Sequence, residues 1–92
     1  SKEEDVAASL SFLKKREKEL LLLLLQKYKR EFTPIEISRE LSVTNKTVIN
    51  RLSVLAKNGF VVPNLVKERI RSYELSEFAK NCENEIVGEL TE

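Results

Sequence analysis

The spacing of apolar positions changes character several times along the chain, and each change marks an element. Val6, Leu10 and Leu13 stand at i, i+4 and i+7 in a stretch dominated by Ala, Leu, Lys, Glu and Arg. No Gly or Pro interrupts it, which predicts helix from about Glu3 to Arg30. The fully charged run Lys14–Glu19 predicts a break or kink inside that segment. Leu20–Leu25 is apolar all round, and such a helix must be covered on most of its sides. In a chain of 92 residues the core is small, so one side is expected on the chain's own core and the other against a partner subunit.

The pattern then shortens. Thr33-Pro34-Ile35-Glu36 reads as a capping box with proline at the first helical position. It opens a helix to about Leu41, with Ile37 and Leu41 facing inward. Ser42-Val43 makes a turn, and Thr44 caps a second helix that runs to about Asn58. Gly59 is placed for the left-handed position after that helix, with Phe60 folding back over it. Phe60-Val61-Val62 starts a strand, and Pro63 demands an edge position or a bulge. Ile70–Leu75 alternates as the returning strand, with a loop over about Asn64–Glu68. Ser76 caps a last helix to about Leu90, in which Phe78, Cys82, Ile86 and Leu90 repeat every fourth residue.

The elements compose a mainly α domain with a small β-hairpin, a winged helix-turn-helix over residues 1–92. Its parts are 3–30, the helix-turn-helix 33–59, the wing 60–75 and a terminal helix 76–91. The outer stripes predict a homodimer seam of Val6, Leu10, Leu13, Leu21, Leu24, Phe78, Cys82, Ile86 and Leu90.

Composition narrows the function. Histidine is absent and cysteine occurs once, which removes the commonest general base and any ordinary zinc site. Two glycines leave no phosphate-cradling loop. No cofactor or metal is expected, and an enzyme is the least supported class. The single Cys82 excludes an internal disulfide; a reducing compartment is the default, with an intermolecular pair left open. No apolar run approaches the roughly 20 residues that span a bilayer, and the acidic start has no signal-peptide layout, so a cytoplasmic protein is expected. The net charge of +1 hides a segregation: Lys14–Arg71 holds fourteen Lys/Arg against six Asp/Glu, while the ends hold two against nine. A basic middle between acidic ends fits a polyanion-binding face.

The second helix of the pair carries the candidate chemistry. At about 100° per residue, Val48, Leu52 and Leu55 share one side and anchor the helix. The opposite side offers Lys46, Asn50, Ser53 and Lys57, with Ile49 on one flank and Thr47 and Arg51 on the other. Asn50 suits an adenine edge, Lys46 a guanine and Ile49 a thymine methyl. Thr44, Thr47 and Arg51 suit phosphates, with Ser42 and Asn45 adding contacts at the turn. The wing adds Lys67, Arg69 and Arg71. Arg69 and Arg71 alternate and so are expected on one strand face. They fit either a minor-groove or phosphate contact, or an edge charged against aggregation.

From Thr33 to Leu75 the chain resembles the winged helix-turn-helix proteins of the MarR, PadR and ArsR type. The matching words are Pro-Ile-Glu-Ile-Ser-Arg-Glu-Leu, Val-Thr-Asn-Lys-Thr-Val-Ile-Asn-Arg-Leu, Leu-Ala-Lys-Asn-Gly-Phe-Val and Arg-Ser-Tyr-Glu-Leu-Ser. The resemblance implies a dimer on a pseudo-palindromic site in double-stranded DNA, regulating transcription. The size and plan also resemble the PadR-like centromere-binding adaptors of plasmid partition, which spread on DNA and recruit a second protein. A winged-helix module that binds only protein is the third reading, and the polar, basic helix face argues against it. Two departures stand out: the wing tip has no glycine, and no Cys/His ligands exist for a metal sensor.

Overall fold

A computed structural model describes residues 1–92. The order is α1 (Lys2–Leu10), α2 (Lys15–Lys27), α3 (Pro34–Leu41), α4 (Asn45–Lys57), β1 (Val61–Val66), β2 (Arg69–Leu75), α5 (Glu77–Asn81) and α6 (Glu83–Leu90). The strands form one antiparallel hairpin. A mainly helical frame with this hairpin after α4 is a winged-helix fold.

Local chemistry sets the boundaries. The first break falls at Ser11–Lys14, earlier than the charged run suggests, because Glu17 reaches back to accept the Lys14 N–H at 2.7 Å and starts α2 there. Glu36 does the same for α3, accepting the Thr33 N–H at 2.9 Å. The Thr33 hydroxyl donates to the same carboxylate. Thr44 accepts the Thr47 N–H at 3.1 Å and starts α4. After α4, Gly59 sits at φ 84°. The Gly59 N–H then reaches Ala56 and the Phe60 N–H reaches Leu55, a closure that satisfies two end carbonyls. Phe60 is buried beneath it.

The core corrects the expected dimer seam. Val6, Leu10, Leu13, Leu21, Leu24, Cys82 and Ile86 are all buried within this one chain, and Phe78 and Leu90 are half covered by it. The physical reason is the path of α2, which packs on α4 and on α6 while α6 also packs on α1. The leucine-rich helix is therefore wrapped from both sides by its own domain. The last helix is also not continuous. It breaks at Cys82, where φ and ψ of −110° and 21° end α5 and re-aim α6. Leu41, expected inward, is exposed, because Ser42 adopts a left-handed conformation at φ 54° and ends α3 as its side chain leaves the core.

The wing is longer and tighter than the sequence suggests. Residues 64–66 are strand rather than loop, and the reversal is a two-residue turn at Lys67-Glu68. Both residues take positive φ, 50° and 65°, the geometry whose twist matches a hairpin but which normally favours Asn-Gly. Pro63 lies opposite Tyr73. Tyr73 spends its own N–H and C=O on Phe32, on the other side of β2. Pro63 therefore occupies a non-hydrogen-bonded position of the outer strand, where its missing N–H costs nothing. The register slips so that Asn64 faces Ser72 while Leu65 faces Ile70. Arg71 is the bulged residue without a partner, so Arg69 and Arg71 do not simply alternate onto one face.

Candidate nucleic-acid interface

Three contacts fix the helix-turn-helix on the frame. Lys27 at the end of α2 pairs with Glu40 of α3 at 2.8 Å, and the Tyr28 hydroxyl donates to the same carboxylate. The ammonium and the phenol together hold the Glu40 carboxyl below its ordinary range. The bond to Glu40, helped by burial, raises the Tyr28 phenol above its own. Arg30 pairs with Glu36 at 3.0 Å and lies over the Tyr28 ring. That guanidinium, with the Thr33 N–H, lowers the Glu36 carboxyl.

The wing is tied to the same corner. Phe32 stacks on Tyr73 and meets Tyr28 edge-on. Glu31 accepts from Asn64 at 2.9 Å and from Ser72 at 3.0 Å. These bonds hold the hairpin base, and the strand beyond Asn64 projects with its side chains in solvent.

On α4 the structure places Val48, Leu52 and Leu55 in the core. Asn45, Lys46, Ile49, Asn50, Ser53 and Lys57 are exposed, as are Ser42 and Thr44 at the turn. Thr47 and Arg51 are half-buried along the flanks. The polar residues selected on the helix therefore share one accessible side. Lys67, Arg69 and Arg71 are exposed on the wing, reached directly from α4 through the Gly59 corner.

Two electrostatic features set this region apart. Every other helix places a carboxylate in its first turn, which complements the positive end of the helix dipole. The first turn of α4 has none. Its Asn45 and Lys46 N–H groups have no protein acceptor. The second feature is pairing. On the frame, Lys2, Arg16, Lys27, Lys29, Arg30 and Lys80 have carboxylate partners, and Lys14, Lys15 and Lys18 at the start of α2 do not. Lys46, Arg51, Lys57, Lys67, Arg69 and Arg71 have none within 4.0 Å.

Arg39 of α3 is exposed and unpaired as well. The sequence reading passed over it because only apolar spacing was followed through that helix. Its position between Ser38, which is buried, and Glu40 marks it as outward-facing.

No cluster of His, Cys, Asp or Glu is arranged to hold a metal ion. No helix is long and apolar enough to cross a membrane.

Comparison with known proteins supports the fold. No family model matches the chain, and no curated protein matches it. Among solved structures it resembles a MarR-family transcriptional regulator from Rhodococcus sp. RHA1, with a TM-score of 0.68 over 96% of this chain at 13% identity. The chain spans 64% of the length of that regulator. The shared feature is the winged-helix architecture.

Proposed function

We propose that the protein binds double-stranded DNA sequence-specifically and acts as a transcriptional regulator. The observation that carries this reading is the acid-free amino end of α4, together with six exposed or half-exposed cations on α4 and the wing that no carboxylate neutralises. Such a surface favours an external anion, and an accessible helix with Lys, Asn and Ile side chains suits the major groove. Asn50 reads an adenine edge, Lys46 a guanine and Ile49 a thymine methyl. Thr44, Thr47, Arg51 and the free N–H groups of α4 hold phosphates. The winged-helix likeness to a transcriptional regulator agrees with this assignment.

The protein works as a two-fold pair, with recognition helices in successive major grooves about 34 Å apart. The seam proposed from the stripes is replaced by what those stripes leave uncovered. Phe12, in the α1–α2 turn, is 73% exposed. It follows Ser11 on the rim of a groove of about 570 Å³ whose apolar lining is Ala7, Leu10, Leu22 and Leu90. Phe12→Ser is expected to shift the chain to monomer in light scattering without unfolding it.

Fluorescence anisotropy with a mixed-sequence duplex tests the DNA reading. Binding at low salt that weakens steeply as KCl rises supports it, since phosphate neutralisation releases counterions. No binding at low salt rejects it. A selected site should then give a fixed nuclease footprint, whereas one that lengthens with protein concentration would favour spreading of the partition kind.

A further inference from the structure

Half of the large apolar side chains exposed on this molecule lie on the wing: Val62, Leu65, Val66 and Ile70. The last three crowd the tip, at 56%, 52% and 51% exposure. They are not on one side. Leu65 faces Ile70 across the hairpin, on the face that carries Val61 and Pro63, while Val66 faces Arg69 on the opposite face. A docking site for a folded protein uses one face. A tip apolar on both faces suits a slot with two walls.

Two further features select the slot. Lys67, Arg69 and Arg71 surround the tip without carboxylate partners, and Glu68 is the sole acid there. The occupant is therefore polyanionic. The outer edge is also closed to strand addition, because Pro63 has no N–H to offer on it. The minor groove of B-DNA is anionic at its rims and walled by sugar, but only about 6 Å wide. Two strands about 4.8 Å apart with side chains on both faces exceed that width.

We propose that the wing tip is a minor-groove wedge. Leu65 and Ile70 on one face and Val66 on the other enter and widen the groove, the Leu65–Ile70 pair partly unstacks a base step, and Lys67, Arg69 and Arg71 hold the flanking phosphates. Apolar side chains used in this way bend duplexes toward the major groove by about 20–90°. Pyrimidine–purine steps unstack most readily, so the wedge adds preference at a step that no side chain hydrogen-bonds. The inference rests on the DNA reading above and adds a bend to it.

The test uses the full chain and a mixed-sequence duplex with a fluorophore at each end and 2-aminopurine inside. Wild type is expected to raise energy transfer between the ends and to brighten the 2-aminopurine. Leu65→Ser with Ile70→Ser is expected to keep the circular dichroism spectrum and the salt dependence of binding, and to lose both signals. Wild-type binding with neither signal overturns the wedge and leaves the DNA reading standing. Equal signals from the double variant also overturn it. No wild-type binding rejects both. Wild-type-selective binding to phosphatidylserine vesicles, with an unbent duplex, reassigns the tip to a lipid surface.

Discussion

The candidate head, formed by α4 and the wing, and the frame of the other helices use the same residue types in different ways. On the frame, Lys27, Lys29 and Arg30 are matched to Glu40, Glu83 and Glu36, so charge is consumed in holding helices together. On α4 and the wing, Lys46, Arg51, Lys57, Lys67, Arg69 and Arg71 have no such match, although Glu68 and Glu74 lie nearby in sequence. The apolar residues divide in the same sense. The frame buries most of its leucines and leaves Phe12 as its most exposed exception, while the wing leaves Leu65, Val66 and Ile70 together in solvent. Net charge alone does not show this difference. What distinguishes the two regions is that most frame cations have a partner inside the chain, Lys14, Lys15 and Lys18 at the start of α2 and Arg39 of α3 being the exceptions, while none on α4 or the wing does.

The largest expected effects fall where both regions meet. Leu52 lies on α4 but is fully buried against the frame. Leu52→Ala should cost about 2–5 kcal/mol in urea denaturation, because it leaves a cavity under α4. Ile86→Glu should unfold the chain rather than separate a dimer, since Ile86 has no exposed surface. A folded, monomeric Ile86→Glu variant would restore the seam first expected from the sequence.

A smaller effect separates the regions cleanly. Asn50→Ala should cost about 1–3 kcal/mol of affinity at one base position, with stability unchanged within about 0.5 kcal/mol. Lys27→Ala should do the reverse, weakening the fold slightly and leaving DNA affinity alone. Uniform loss across all duplexes from Asn50→Ala would make it a phosphate contact instead.

The hairpin turn offers a stabilising change. Glu68→Gly removes a side chain from a left-handed position and should raise stability by up to about 1 kcal/mol, read from the urea midpoint. A loss would mean that Glu68 makes a contact worth more than its strain.

The smallest effect is a pH dependence. Glu36 and Glu40 are both lowered, chiefly by bonds from Arg30 and Lys27 respectively. A carboxyl lowered in the folded state stabilises it above the ordinary glutamate range and loses that contribution as pH falls through it. Glu40→Gln should therefore flatten the acid limb of stability and leave neutral-pH DNA binding unchanged. An unaltered acid limb would show that Glu40 is paired equally well when unfolded.

Much of the head was legible because its determinants are local. Thr44, Gly59 and Phe60 sit where capping chemistry requires them, and Val48, Leu52 and Leu55 mark the buried side by spacing alone. The frame was less legible. The period of Val6–Leu13 and Phe78–Leu90 states that a stripe needs cover, but not that α2 and α6 of the same chain provide it. Cys82 breaks the final helix without a Gly or Pro to announce it. The bulge at Arg71 was hidden for a related reason: alternation on one strand cannot reveal a register slip that depends on the other. Reading residues 64–68 as loop also concealed the apolar tip. The candidate contact residues were located as an exposed face, while their unpaired state required knowing where each carboxylate of the frame had gone.

The slope of log affinity against log salt, measured residue by residue on a duplex of about three helical turns, tests the central claim most directly. Alanine at a head cation that meets a phosphate should reduce the slope by about one, and alanine at Lys27, Lys29 or Lys80 should leave it unchanged. Equal slopes for all variants, or a reduction only from the paired frame lysines, would contradict it.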